Sequence, residues 1–252
     1  MLRTLHVARK KELLIDAGGF FGDSGYHQLG QGEAESQILS RLYDLVLPTV
    51  PGFRHYLTAT EVRGKCVLTN LTRTDGSGVF PRSAAVRVGM RETLVLGVIG
   101  REQFAAIPAA DRAGAVWHPP ADAIRAHAHR ALSSRRVALL VLSCCGEAET
   151  RQIARTWVQN ACVIITSGSG MITPSPAHAA AVSPPADGAG YSRLVPVPGG
   201  GWQADAHRFP ATLRGPQAVQ MQDLHALLQG MTSALTAPPI PGTNDDADGP
   251  PR

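Results

Sequence analysis

VALLVLSCCGEAETRQIARTWVQNACVIIT, residues 137–166, decides the fold class. Residues 137–143 read as a strand, apolar up to its closing serine, a helical pattern follows over 147–157, and 161–166 is a second, largely apolar run. Strand, helix and strand in that order make a parallel crossover unit whose loops gather at one edge of a sheet. A helix over 121–134 leads into the unit. The chain therefore reads as α/β (α+β).

Upstream, 84–88 and 93–99 carry strand patterns joined by GMRE, which predicts a hairpin in a mixed sheet. Residues 65–71 read as a strand with Cys66, Val67 and Leu68 buried, followed by the turn TDGSG. Ile38, Leu39, Leu42, Leu45 and Val46 recur at helical intervals, so one amphipathic helix is expected over 33–47, stopped by Pro48. Residues 48–56 read as a loop. At the front, the strand at 13–15 runs into the glycine-dense stretch DAGGFFGDSG. Downstream, 171–190 is too rich in Pro, Ala and Gly for regular structure. A hairpin is expected over 191–197 and 202–209, and a helix over 217–235. Residues 1–236 are expected to form one domain and 237–252 a Pro- and Asp-rich disordered tail.

The chain has 252 residues, 44% hydrophobic and 17% charged, enough to bury a core without disulfide staples. Four cysteines are too few for a disulfide framework and point to a reducing, cytoplasmic setting. The start MLRTLHVARKKELLID lacks the apolar stretch of a signal peptide. The longest apolar run, 137–145, falls short of the roughly 20 residues of a membrane span, so a soluble protein is expected. The net charge of +4 comes mainly from arginines scattered singly, with lysine only at 10, 11 and 65, which argues against a nucleic-acid surface.

Five fragments together carry a family likeness. LLIDAGGFFGD is similar to a LLxDAGDFF segment, YDLVLPTVPGF to YDxxxPGNHxF, VALLVLSCCG to a strand ending in LSHxG, and VIITSGSG to VIxxGHxH, while VLTNL, with Asn70, is similar to a short ANL strand. In this order and spacing the chain, over roughly residues 10 to 210, resembles the calcineurin-like metallophosphoesterases, and among them the 5'-nucleotidase branch. The resemblance implies a four-layer sandwich of two mixed β-sheets flanked by helices, with strand-end loops converging on two divalent metal ions. Such a pair clamps a phosphoryl group and generates a hydroxide nucleophile, which calls for a bridging carboxylate, imidazoles and an amide oxygen.

The ligand positions themselves depart from the pattern. Gly19 stands for the bridging aspartate, Val50 and Pro51 for the Asn-His pair, Cys144 for the histidine of LSHxG, and Gly168 and Gly170 for the histidines of GHxH. The family's opening Asp-x-His strand has no counterpart in the sequence. Of these replacements only Cys144 can ligate a metal, and zinc sites take at least three protein ligands. The expectation is a non-catalytic member that binds no cofactor and serves as a binding or partner subunit, with an intact homologous phosphoesterase as one candidate partner. The alternative is a divergent metal-dependent phosphoesterase with a site rebuilt from Asp16, Asp23, His27 and His55. The Cys144-Cys145 pair could supply an activated thiol, although Glu147 and Glu149 just beyond it work against one.

Overall fold

The structure, a computed structural model, describes residues 13–21, 32–88, 91–132, 137–156, 162–166, 180–182, 190–196 and 202–208. The expected helix at 217–235 and the tail at 237–252 lie outside the described residues.

The crossover unit forms as read. Strand β7 (Val137–Cys144) runs into helix α6 (Glu147–Thr156) and returns as β8 (Cys162–Thr166), parallel to β7. The upstream hairpin pairs β4 (Ala84–Val88) with β5 (Arg91–Ile99), and β5 lies parallel to β7. The resulting five-stranded mixed sheet, in the order β4-β5-β7-β8-β9, ends on β9 (Ala180–Val182). That strand falls inside the stretch expected to be irregular. Its small apolar side chains pack well at a sheet edge, with Ala181 and Val182 buried.

Side chains along the central strands alternate between two cores, as the pleat requires. Leu96, Val98, Leu139 and Val141 meet Ile124 and Ala128 of helix α5 (Pro120–Leu132) and Ile153 and Ala154 of α6. Val95, Ile99, Leu140 and Leu142 join a larger core with Phe21, Leu39, Phe53, Tyr56 and Phe80. The hairpin of β10 (Gly190–Pro196) and β11 (Trp202–Arg208) packs Leu194 and Trp202 against that second core. The whole is a mixed α/β fold of several sheets flanked by helices.

One helix is shorter than its periodicity suggests. Helix α1 spans Glu33–Leu42, and Leu45–Val46 form strand β2, parallel to β1 (Ile15–Asp16). Tyr43 turns extended at φ −92°, and the Lys65 ammonium donates to the carbonyls of Ser40 and Tyr43, satisfying the helix end. Asp44 then ties into the front of the chain, its carboxylate accepting from the Leu14 N–H at 2.9 Å. Leu45 and Val46 match the helical period but are enclosed on both faces, and tertiary pairing overrides the local pattern. The expected loop at 48–56 likewise contains the start of helix α2 (Phe53–Thr58), which buries Phe53 and Tyr56, and a short α3 (Thr60–Arg63) follows. Helix α4 (Arg101–Ala106) and strand β6 (Ala115–Trp117) were not signalled by the sequence.

The β1–β2 pair is joined to the main sheet by residues 66–70. Val46 bridges Cys66 in parallel, and the Thr69 N–H donates to the Gly97 carbonyl at 2.6 Å. At Asn70 the side chain takes over from the backbone: its amide donates to Ile99 O at 2.8 Å and His118 O at 3.0 Å, and its oxygen accepts from Ile99 N at 3.0 Å. Beyond Asn70 the chain becomes β3 (Leu71–Arg73), antiparallel to β6. Gly97 is needed at the seam, because a Cβ there would lie 2.0 Å from the Val67 carbonyl oxygen.

Asn70→Ala is expected to lower unfolding stability by about 2–3 kcal/mol, since it strands the buried Ile99 N–H. Gly97→Ala is expected to cost about 1–3 kcal/mol by overpacking. Urea denaturation of the two variants checks both values; stability equal to the parent would show that the seam carries no load.

Candidate functional site

Strands β1 and β2 pair in parallel, β5, β7 and β8 do likewise, and residues 66–70 join the two sets through Val46 and Gly97, which brings their carboxyl ends to one edge, where open α/β sheets place their ligand sites. The edge is built from residues 16–21 after β1, 47–52 after β2, Gly100 after β5 and Cys144 to Gly146 after β7. Gly168 and Gly170, like Asp23 and His27, lie outside the described residues.

The loop after β1 is shaped by two glycines in the left-handed region, Gly18 at φ 105° and Gly19 at φ 81°. A Cβ on Gly18 would lie 2.5 Å from Thr49 Cγ2, whereas one on Gly19 would meet nothing within 4 Å. The Gly19 N–H donates to Thr49 Oγ1 at 2.8 Å, which ties this loop to the one after β2. Val50 is half-buried and Pro51 exposed on that second loop. Neither offers a lone pair from its side chain. Phe21 is fully buried, stacks on His55 with centroids 5.0 Å apart and meets Tyr56 edge-on at 4.8 Å. His55 is thus part of the aromatic packing of α2, half-buried beneath Gly32.

Among the described residues, Asp16 is the one acid buried at this edge. Tyr43, Tyr56 and Cys66 lie near enough for its charge to act on them. Burial raises its carboxyl from 3.8 to about 7, opposed in part by a hydrogen bond from the Gly18 backbone. Burial likewise pushes Tyr43 up to about 12 and Cys66 up to about 12, and Asp16 adds to both. That Tyr43, Tyr56 and Cys66 come near Asp16 was not anticipated; the only sequence signal was the apolar and aromatic character of the segments around them.

Cys144 is half-buried at the end of β7, and Cys145 is buried. Burial, with Glu149 and Cys144 nearby, pushes the Cys145 thiol up to about 12, while the Ser143 hydroxyl pulls the other way. Glu149 is held in place at this edge: its carboxylate accepts from the Arg101 N–H at 3.2 Å and the Gly146 N–H at 3.3 Å. Gly100 leaves room for it, since a Cβ there would lie 2.2 Å from Glu149 Oε2. Beside Glu149 opens a cavity of about 260 Å³ lined by Arg101, Trp117, Pro119, Asp122 and Gln152.

These side chains do not suit a pair of divalent ions. Among the described residues no three His, Cys, Asp or Glu side chains group as metal ligands. The positions set at the strand ends by the sequence motifs hold a glycine, a valine, a proline and a thiol. Also among the described residues, no helix is long and apolar enough to cross a membrane.

No family model matches the sequence, and no curated protein matches it significantly. The fold is nevertheless that of the calcineurin-like phosphoesterases and 5'-nucleotidases. The sulfate thiohydrolase SoxB of Thermus thermophilus superposes with a TM-score of 0.72 at 17% identity, over 94% of this chain and 45% of that one. A 5'-nucleotidase precursor, also from Thermus thermophilus, gives 0.65 at 16% identity, over 92% and 52%. The calcineurin-like phosphoesterase YfkN of Bacillus subtilis gives 0.60 at 11% identity, over 92% of this chain and 90% of that structure. The chain spans about half the length of the two Thermus proteins. At these identities the likeness is one of fold.

Cys66 and Cys145 are expected to resist thiol reagents at neutral pH in the folded protein and to react fully once it is unfolded. Peptide mapping after alkylation checks this, and labelling of Cys145 at the rate of a free thiol would contradict the burial described.

Proposed function

We propose that this chain is a non-catalytic protein on the metallophosphoesterase fold, acting as a binding or partner subunit. The observation that carries the reading is the chemistry of the strand-end edge. Where the sequence motifs set metal ligands, the described positions are Gly19, Val50, Pro51 and Cys144, and only a single thiol among them can ligate. A two-metal centre needs several oxygen and imidazole donors converging on ions about 3.5–4 Å apart. The Gly19 amide is instead spent on Thr49, and His55 on stacking with Phe21.

The partner that best suits this reading is an intact homologous phosphoesterase, because a retained fold with a changed site can still offer the family's outer surfaces to a related chain. A reducing, cytoplasmic location belongs to the same reading, supported by Cys66 and Cys145, which form no disulfide among the described residues.

Calorimetric titration with Mn²⁺ and with Zn²⁺ tests the proposal. No tight binding of two ions per chain is expected, together with no turnover of aryl phosphates. Stoichiometric binding of two ions would overturn it. So would metal-dependent hydrolysis that a chelator abolishes and that Asp23→Ala or His55→Ala strongly reduces, since that outcome identifies a rebuilt hydrolase.

A further inference from the structure

The cavity beside Glu149 is lined by two opposite charges that do not pair with each other. Three strand-to-helix junctions build it: Arg101, where β5 runs into α4; Trp117 and Pro119, where β6 runs into α5; and the first turns of α6, which bring Glu149 and Gln152. At about 260 Å³ it suits a small molecule. Part of its wall is rigid and apolar. The Trp117 indole N–H donates to the Ile99 carbonyl at 3.1 Å, which fixes the ring, and Pro119 beside it has a locked φ.

Of the charged groups at the cavity, Asp122 is already matched, by Arg125 at 3.0 Å. The Glu149 carboxylate accepts from backbone alone among the described residues. The Arg101 N–H at 3.2 Å and the Gly146 N–H at 3.3 Å each hold one of its oxygens, and both keep lone pairs to spare. Gly100 makes this position possible, since a Cβ there would lie 2.2 Å from Glu149 Oε2. None of the ion pairs among the described residues includes Glu149, and none includes the exposed Arg101 guanidinium. One anion and one cation thus line the same space without a partner, on residues whose backbone and side chain are already hydrogen-bonded to each other.

A simple cation placed here meets repulsion from Arg101, and a simple anion meets repulsion from Glu149. A ligand that carries both charges on one small frame satisfies both groups with charge-assisted hydrogen bonds. In an α-amino acid a single carbon joins the ammonium to the carboxylate, and the side chain is left free to displace water from an apolar wall.

We propose that this cavity binds a free α-amino acid with an apolar or aromatic side chain. The ammonium donates to Glu149, the carboxylate accepts from the Arg101 guanidinium, and the side chain lies on Trp117 and Pro119. The assignment goes beyond the non-catalytic reading and does not rest on it, because no lining residue stands at a ligand position of the sequence motifs.

Ligand-observed NMR on the full chain tests the site with L-phenylalanine and L-leucine as probes. Two analogues each lack one charge: phenethylamine has no carboxylate, and 3-phenylpropanoate no ammonium. Saturable binding of L-phenylalanine or L-leucine is expected with a Kd of about 1 mM or tighter. Both analogues should bind roughly tenfold more weakly than L-phenylalanine. Arg101→Ala keeps the backbone N–H that Glu149 accepts; it should weaken L-phenylalanine roughly tenfold and leave phenethylamine unchanged. Glu149→Gln should weaken L-phenylalanine and spare 3-phenylpropanoate; should that variant fail to fold, Arg101→Ala with the same ligands decides. Failure of both amino acids to saturate the chain at about 10 mM would overturn the proposal. So would analogues that bind as tightly as L-phenylalanine, or an Arg101→Ala variant that binds it like the parent. Binding of two metal ions alongside L-phenylalanine would overturn the non-catalytic reading alone, and binding of neither would overturn this site alone.

Discussion

Asn70 carries the join on which the rest of the structure depends. A side-chain amide presents one donor group and one acceptor in the geometry of a peptide, so it can complete a β-ladder where the backbone has begun to leave it. Here it does so for Ile99 while also donating to the chain at His118, and it is fully buried with those bonds satisfied. Gly97 lets the two segments approach closely enough for this to happen. Without the seam, β1 and β2 would be a two-residue ladder with little to hold it. With the seam, their ends stand at the same edge as those of β5 and β7.

That edge is an inheritance of the fold more than of any chemistry. Parallel strands point their carboxyl ends one way, and loops there are free to vary because the scaffold below is rigid. In this chain the loops after β1 and β2 are tied to each other through Gly19 and Thr49 and filled with aromatic rings. The carboxyl buried there, Asp16, lies near the phenols of Tyr43 and Tyr56 and the thiol of Cys66. Burial raises its carboxyl above the usual carboxylate range, and the Gly18 backbone hydrogen bond opposes that rise.

The sequence was legible where one periodicity persisted over a full element. The crossover unit at 137–166 and the hairpin of β4 and β5 form within a residue or two of their expected bounds. It misled where a short apolar segment satisfied two patterns at once. Leu45 and Val46 fit the helical stripe of α1, and only Lys65, Asp44 and the waiting edge of β1 turn them into a strand. Ala180–Val182 had the opposite fault: three small residues among prolines carry no period, yet a vacant edge beside β8 recruits them.

Residue types and spacing alone therefore determined the α/β class and the likeness to a metallophosphoesterase, and they put Gly19, Val50, Pro51 and Cys144 at the positions its motifs mark, because those are properties of the letters at each position. Tertiary structure alone decided what surrounds those positions. The stacking of His55 on Phe21, the tether from Gly19 to Thr49 and the burial of Asp16 among phenols and a thiol each join residues that lie far apart in the chain and in different elements. Only the packing of those elements sets whether such a group meets water, a partner or a cation, and it is that encounter which fixes its charge.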